Sequence, residues 1–246
     1  MDDFFARSEA LLGEKTMEAL RHRRVIIFGV GGVGSYAAEA LVRTGLTHLT
    51  IVDGDTVQPS NINRQLPATR ATMGMPKVEA LKARLLEINP DAEIEARFEM
   101  YKPTLSPSLK GRELTSPNQF HLEDYDYVVD AIDDVPAKTD LIIYATRARV
   151  KIFSSMGAAL RFDPTQVTTG ELMAIKGDAL AKAVRARMKK IGQKPYRKVK
   201  CVYSTEQAQP CETRGSLMQV TAVFGLTLAS MVVNDIRGAC GGLIPC

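Results

Sequence analysis

The chain has 246 residues, of which 45% are hydrophobic and 24% are charged, a composition that indicates a globular protein and excludes global disorder. Its four cysteines, Cys201, Cys211, Cys240 and Cys246, form no C-x-x-C pair, so neither a zinc ribbon nor a disulfide framework is expected. The acidic start Met1-Asp2-Asp3 lacks the basic residues of a secretory signal peptide. We therefore expect a cytoplasmic protein with reduced thiols.

Apolar periodicity predicts strands that alternate with helices over most of the chain. The predicted elements up to residue 155 are a helix or helix pair over 5–22, strands over 24–28, 49–52, 93–97, 127–133 and 152–155, and helices over 33–44, 77–88 and 137–149. Pro76 is expected at the first position of its helix, and residues 100–122 are expected to form a surface excursion. This alternation predicts an α/β fold with a Rossmann-like, mostly parallel sheet flanked by helices.

The pattern changes after residue 156. The elements predicted there are extended segments over 157–175, a helix over 178–191, a strand over 200–204 and an apolar helix over 217–236. We expect one domain over residues 1–246, with a nucleotide-binding half over 1–156 and a substrate- and dimer-facing half with an antiparallel extension over 157–246. The helix over 217–236 has the length of a membrane span, but polar residues such as Gln219, Thr221 and Asn234 favour a buried core helix.

Positive charge is concentrated in one segment of the chain. The formal net charge is +4, yet residues 182–200 contain nine Lys or Arg residues and no acid, so the rest of the chain is net acidic. Such a patch indicates contact with a polyanion, and RNA is favoured over a merely solvated helix face. The candidate RNA-binding residues are Lys182, Arg185, Arg187, Lys189 and Lys190. DNA is not expected as a partner.

A glycine loop, Gly29-Val30-Gly31-Gly32-Val33-Gly34, directly follows the first predicted strand. The candidate phosphate-binding residues are Gly29, Gly31, Gly32 and Gly34, because glycines let the backbone approach a phosphate and aim helix N-terminal amides at it. Asp53 ends the next strand, where an acid holds ribose hydroxyls. On these residues alone, an NAD-dependent oxidoreductase is a possible function.

The residues that follow Asp53 favour a triphosphate over a dinucleotide. The further candidate nucleotide-binding residues are Asp55, Asn61, Arg64, Gln65, Lys77 and Asp133. Arg64 and Lys77 would balance the extra negative charge of ATP, and Asp133 would hold Mg²⁺ with the phosphate oxygens. Taken singly, Arg64 and Lys77 also fit solvated surface charge, and Asp133 also fits a helix N-cap. The set as a whole predicts ATP and Mg²⁺ as cofactors.

These motifs together resemble the ubiquitin-activating-enzyme-like (E1-like) adenylation family over about residues 5–235. They are the glycine loop, Asp53-x-Asp55, Ser60-Asn61-x-x-Arg64-Gln65, Pro76-Lys77 and Asp130-x-x-Asp133. The resemblance implies an E1-like adenylation fold and catalytic roles for Arg64, Lys77 and Asp133, with Asp133 as the metal ligand. It also implies that Asp53 binds ribose and that Asn61 helps to hold the triphosphate. Arg7 matches a family arginine that reaches into the partner subunit's site, which implies a homodimer.

The substrate is indicated by the C-terminal part of the chain. Members of this family that activate sulfur carriers usually have two C-x-x-C pairs, which are absent here. The succession of Phe162-Asp163-Pro164-Thr165, the basic helix and residues 201–206 is similar to the branch of tRNA threonylcarbamoyladenosine dehydratases. This resemblance implies adenylation of the threonyl carboxylate of a modified adenosine in tRNA, followed by cyclisation.

Three other functions stay open on the sequence. The first is an enzyme that activates a ubiquitin-like sulfur-carrier protein, with that carrier or a sulfur-transfer protein as its partner. The second is an NAD-dependent oxidoreductase, and the third is a non-catalytic nucleotide- or RNA-binding module. Cys201 could accept sulfur or an acyl group as a reactive thiol, but no neighbouring base is evident. We therefore expect Cys201 to be a buried strand cysteine.

Overall fold

The structure of the protein is a computed structural model that describes residues 4–104, 120–209, 212 and 215–241. Within these residues seven strands form one sheet in the order β3-β2-β1-β4-β5-β7-β6. The strands are β1 (Arg24–Phe28), β2 (His48–Val52), β3 (Glu93–Arg97), β4 (Tyr127–Asp130), β5 (Lys151–Ser155), β6 (Val167–Glu171) and β7 (Lys200–Ser204). All neighbouring pairs are parallel except β6 and β7 at one edge. The predicted mostly parallel α/β sheet with a C-terminal antiparallel extension is confirmed.

Helices cover both faces of this sheet. Those that the structure describes are α1 (Ala6–Leu12), α2 (Glu14–Arg21), α3 (Gly34–Thr44), α4 (Lys77–Ile88), α5 (Val135–Arg147), α6 (Ala179–Ile191) and α7 (Met218–Ala239). The N-terminal segment is a helix pair that is broken at Gly13, whose φ is 79°.

The side chains of β1 show why the sheet is covered on both sides. Val25 and Ile27 pack into one core cluster together with residues of α3, α4 and α7. Ile26 and Phe28 point the other way, into a second cluster with residues of α5 and α6. Successive residues of a strand face opposite sides of the sheet, so an uninterrupted apolar run produces a strand that is buried on both faces.

Three local predictions are wrong in detail. Pro76 caps α4 instead of occupying its first turn. Strand β4 ends at Asp130, three residues earlier than predicted, because its carboxylate accepts a hydrogen bond from the Ile132 amide and turns the chain. The prediction that residues 100–122 form a surface excursion is wrong at both ends of this segment, since Tyr101 and Phe120 are buried against Phe28. Residues 105–119 lie outside the described residues.

Helix α7 is long and apolar enough to cross a membrane by length and composition alone. In its most apolar window, 56% of the residues are buried inside the protein. Phe224, Leu228 and Val232 belong to the core cluster on the α3 side of the sheet. The prediction that this segment is a core helix agrees with that packing.

The sheet topology determines where a site can form. Strands β1, β2, β4, β5 and β7 run in the same direction, so their carboxyl ends meet at one edge. Ligands of open parallel sheets bind in the crevice at that edge. The loops after these strands carry most of the residues singled out in the sequence.

Candidate nucleotide and substrate site

A cavity of about 570 Å³ lies at the carboxyl edge of the sheet. Among the predicted site residues, those that line it are Gly29, Gly31, Gly32, Asp53, Asp55, Arg64, Gln65, Lys77 and Asp133. The structure therefore brings together most of a set that spans more than a hundred residues of sequence. The volume is in the range of pockets that hold small-molecule ligands and cofactors.

The glycine loop makes a tight turn between β1 and α3. Gly29 has a φ of +83°, in the region that favours glycine. A Cβ on Gly34 would come within 1.8 Å of the Gly29 carbonyl oxygen, so this position requires glycine. Among the described residues no side chain caps the first turn of α3. The Ser35 amide of that turn donates to the Gly31 carbonyl at 3.2 Å, and within the described residues the other amide N–H groups of the turn are left for an anion in the cavity.

Asp53 ties the glycine loop to the loop after β2. Its carboxylate accepts hydrogen bonds from the amide of Val30 at 2.8 Å and from the amide of Asp55 at 2.9 Å. Burial raises the pKa of this carboxyl group, and the nearby charge of Lys77 opposes that shift. Each carboxylate oxygen has capacity for a further hydrogen bond, which suits the hydroxyl groups of a ribose.

Two cations stand beside the glycine loop. The Lys77 ammonium lies 2.7 Å from a carboxylate oxygen of Asp55, and 7% of the Lys77 side chain is exposed. The Arg64 guanidinium donates to the carbonyl of Ser60 and to the side chain of Asn63. Both cations line the cavity, so the charge and donor pattern fits a polyphosphate.

Gln65 is a buried polar residue at the same loop. Its Nε2 lies 3.5 Å from the position that a Cβ on Gly31 would occupy. Its Oε1 is buried and has no hydrogen-bond partner among the residues that the structure describes. A buried amide without a full set of partners at a cavity wall fits a group that completes its hydrogen bonds with a ligand.

The sequence left two roles open for Asp133, metal ligand and helix N-cap, and the neighbouring Asp134 takes the second of them. The Asp134 carboxylate accepts from the Ala137 amide at 2.8 Å and caps α5. Asp133 is exposed, and within the described ranges it has neither a hydrogen bond nor an ion pair. The described residues contain no group of three or more His, Cys, Asp or Glu suited to a metal ion. One carboxylate together with phosphate oxygens is a usual way to hold Mg²⁺, so Asp133 fits this ion.

Three of the predicted catalytic and nucleotide-binding residues do not line the cavity. The Asn61 side chain accepts from the Gln58 amide at 3.0 Å and caps a short 3₁₀ turn. Gly34 lies behind the glycine turn, where its close approach to Gly29 shapes the loop. Arg7 is exposed on α1, away from the cavity lining of its own chain.

A buried ion pair beneath the Asp133 loop was missed by the sequence reasoning. Lys138 and Asp130 are fully buried, and their charged groups lie 2.6 Å apart. Ser154 donates to the same carboxylate oxygen of Asp130 at 2.5 Å. Because Asp130 also accepts from the Ile132 amide, this pair fixes the loop that presents Asp133. The interior position of Lys138 in a helix gave no sign of this contact.

A second buried ion pair lines the other part of the cavity. Arg161 lies 3.1 Å from a carboxylate oxygen of Asp178, and both side chains are almost completely buried. Arg161 also donates to the carbonyls of Gly157 and Glu206. Asp178 caps α6 and accepts from the Gly157 amide. These contacts join the loop after β5, the segment after β7 and the start of α6, and sequence reasoning assigned a role to none of them.

The basic helix α6 begins at this part of the cavity. Ala179, Leu180 and Ala183 from its first turns contribute to the cavity lining. Of the predicted RNA-binding residues, Lys182, Lys189 and Lys190 are exposed, whereas Arg185 and Arg187 are half-buried. The Arg185 guanidinium donates to the Leu172 carbonyl, so part of this charge stabilises the fold.

Cys201 is a buried strand cysteine, as predicted. It lies in β7 with no exposed surface, and burial raises the pKa of its thiol to about 12. The thiol therefore stays protonated at neutral pH and is a poor nucleophile. Cys240 is partly exposed at the end of α7, and Cys211 and Cys246 lie outside the described residues.

Comparisons with known proteins agree with this geometry. The model of the ThiF family matches residues 5–241. A tRNA threonylcarbamoyladenosine dehydratase of Bacillus subtilis is 37% identical over 202 residues, which cover 82% of this chain and 74% of that protein. The crystal structure of the Escherichia coli tRNA N6-threonylcarbamoyladenosine dehydratase, TcdA, in complex with AMP matches with a TM-score of 0.85 and 32% identity over 96% of this chain and 95% of that one. The complex of the same protein with ATP matches with a TM-score of 0.81 and 31% identity, again over 96% and 95%.

Proposed function

This chain belongs to the ThiF family, and we propose that it is an ATP-dependent tRNA threonylcarbamoyladenosine dehydratase. The reaction adenylates the threonyl carboxylate of the modified adenosine in tRNA and closes it to the cyclic hydantoin form. One observation carries the proposal: a single cavity joins the glycine loop and its two cations to the start of the basic helix α6. A triphosphate at the glycine loop and a polyanion along α6 would thus reach the same cavity.

The nucleotide is held by groups at the glycine loop. The N-terminus of α3, which no described side chain caps, binds the triphosphate together with Arg64 and Lys77, and Asp53 binds the ribose. Lys77 exchanges its contact with Asp55 for a phosphate oxygen, a change that the exposed Asp55 carboxylate tolerates because water can solvate it. Asp133 would hold Mg²⁺, which would supply charge stabilisation at the phosphates.

The chemistry needs no protein nucleophile. A carboxylate oxygen of the threonyl group attacks the α-phosphorus, the bond to pyrophosphate breaks, and an acyl-adenylate forms. A nitrogen of the threonylcarbamoyl group then attacks the activated carbonyl carbon, loses its proton, and expels AMP. This chain contributes position and charge: Arg64 and Lys77 stabilise the negative charge that develops on the phosphoryl oxygens.

We assign the nucleotide-binding role to residues 1–156 and the substrate- and dimer-facing role to residues 157–246. The assignment follows the division of the cavity between the glycine loop and the Arg161–Asp178 pair. In a homodimer, the exposed Arg7 would reach the partner's cavity instead of its own. We also propose that the protein acts in the cytoplasm, where a tRNA substrate is available.

Mass spectrometry of tRNA nucleosides tests the function directly. We expect the protein with ATP and Mg²⁺ to remove one water from threonylcarbamoyladenosine in tRNA and to release AMP and pyrophosphate. Transfer RNA that lacks the modification is the control and should give no turnover. If the modified tRNA gives none, but a carrier protein with a Gly-Gly tail does, the protein is a sulfur-carrier activator. Binding of NAD without any need for Mg²⁺ would instead support an oxidoreductase.

A further inference from the structure

An exposed aromatic side chain comes directly after two residues that line the cavity. Phe162 follows Leu160 and Arg161, which line the cavity, yet 64% of its own surface is exposed to solvent. A phenylalanine at such a position leaves a large apolar surface in water. Such a ring is accessible to a partner molecule.

The backbone that carries Phe162 is fixed. The amides of Phe162 and Asp163 donate to the Glu206 carboxylate at 3.0 to 3.1 Å. The preceding Arg161 is locked by its ion pair with Asp178. The ring is thus presented from a rigid base, which reduces the entropy lost when it binds a partner.

Backbone strain marks the same segment. Leu160 has a φ of 61°, in the left-handed region that L-residues other than Asn and Asp seldom adopt. Two hydrogen bonds hold it there, one from its amide to the Gly215 carbonyl and one from the Gln209 amide to its carbonyl, both at 2.9 Å. Strain of this kind persists where the surrounding structure enforces it, and it is concentrated at functional sites.

Exposed lysines flank the residue that pairs with Arg161. The Arg161–Asp178 contact holds the Phe162 segment against the start of α6. Lys176 and Lys182 are exposed within four residues of Asp178. The ion pair thus joins a segment with an exposed aromatic ring to a segment with exposed cations, and rings and cations together bind unstacked nucleotides, with the ring against the base and the cations near phosphates.

We propose that Phe162 stacks on the adenine ring of the modified nucleoside in the tRNA substrate. The reacting carboxylate is linked to the base through the threonylcarbamoyl group, so it can enter the cavity while the base stays at the rim. A base that leaves the stack of its neighbours loses their contacts, and an aromatic side chain of the enzyme replaces them. This inference rests on the proposed function.

Steady-state kinetics with Phe162→Ala test the stacking. Stacking holds the base equally in the ground state and the transition state, so its loss raises KM and leaves kcat unchanged. Loss of one base-stacking contact should raise KM for modified tRNA about 10-fold, while KM for ATP stays the same. Phe162→Tyr should keep the KM of the original protein. Phe98→Ala is the matched control, because Phe98 is a 51%-exposed aromatic beside cavity-lining Glu99 at the opposite edge of the sheet.

Fluorescence gives a readout that a structural role would not move. The chain has no tryptophan, so Phe162→Trp introduces a single reporter. We expect modified tRNA to quench its emission on binding, and the Phe98→Trp reporter to remain unquenched. The inference is overturned if Phe162→Ala keeps the original KM, or if both tryptophan reporters respond alike. If the unaltered protein does not dehydrate modified tRNA, the proposed function fails, and this inference fails with it.

Discussion

The two ends of the cavity use buried cations in different ways. At the nucleotide end, Lys77 pairs with Asp55, whose side chain is 56% exposed. At the substrate end, Arg161 pairs with Asp178, and both side chains are no more than 2% exposed. Water can solvate Asp55 when Lys77 moves to a phosphate, whereas Asp178 would be left charged in the interior. Lys77 is therefore available to a ligand, and Arg161 is a structural group that positions the walls of the cavity.

The largest effect on activity is expected at the nucleotide end. Lys77→Ala removes a preorganised cation from the developing phosphoryl charge, and loss of one such group costs about 10²- to 10³-fold in rate. Arg64→Ala should act similarly, because Arg64 lines the same cavity and its Cγ lies 3.3 Å from the position that a Cβ on Gly32 would occupy. The measurement is AMP release with modified tRNA, with Lys82→Ala on the same helix as control. Activity near that of the original protein in either variant would remove that residue from the site.

At the substrate end, substitution of the buried arginine should mainly lower the stability of the protein. Arg161→Leu leaves the buried Asp178 carboxylate unpaired, which should lower the free energy of unfolding by about 3–5 kcal/mol. Urea unfolding followed by circular dichroism measures this change. Lys77→Ala is the comparison variant and should lose clearly less, because an exposed carboxylate is easily solvated.

A double variant separates charge from packing at the substrate end. Arg161→Leu with Asp178→Asn removes both charges, so part of the lost stability should return. No recovery would mean that Arg161 acts through its hydrogen bonds to the Gly157 and Glu206 carbonyls instead of through the ion pair. A loss below about 1 kcal/mol for Arg161→Leu, the size of a surface pair, would contradict the contrast between the two ends.

The nucleotide end was accessible from sequence because its parts follow one another along the chain. The Asp53 contacts reach back only to Val30 and forward to Asp55, and Lys77 pairs with Asp55 across 22 residues. Each lies directly after a predicted strand or at the start of a predicted helix. The meeting of strand ends at one sheet edge then brings them together.

The substrate end was not accessible for the opposite reason. Arg161 contacts Asp178 and Glu206, which are 17 and 45 residues away. No periodic pattern connects an arginine in a loop with a helix cap and a segment beyond a later strand. Lys138 escaped notice because it occupies an ordinary helical position, and only the packing of α5 on the sheet brings it to Asp130. The burial of both ends of 100–122 was not predicted because the proline and serine content of this segment is typical of a surface loop. The contact between the rings of Tyr101 and Phe120 is seen only in the folded chain.

The smallest expected effect tests how far the substrate end extends along α6. Lys182 and Lys189 are exposed and seven residues apart, on the same face of the helix. If this face contacts tRNA phosphates, Lys182→Ala with Lys189→Ala should weaken binding similarly for all tRNAs. It should also reduce the slope of log affinity against log salt by about 2, since each phosphate contact contributes close to one unit.

Filter binding or fluorescence anisotropy over a range of salt concentrations measures that slope. Lys15→Ala with Lys82→Ala is the control pair, because it removes the same charge from α2 and α4, outside the basic helix. An equal reduction of the slope in both double variants would mean that tRNA binding depends only on the net charge of the protein. An unchanged slope in the α6 pair would mean that this face is solvated, and that the substrate end is confined to the cavity rim around Arg161 and Phe162.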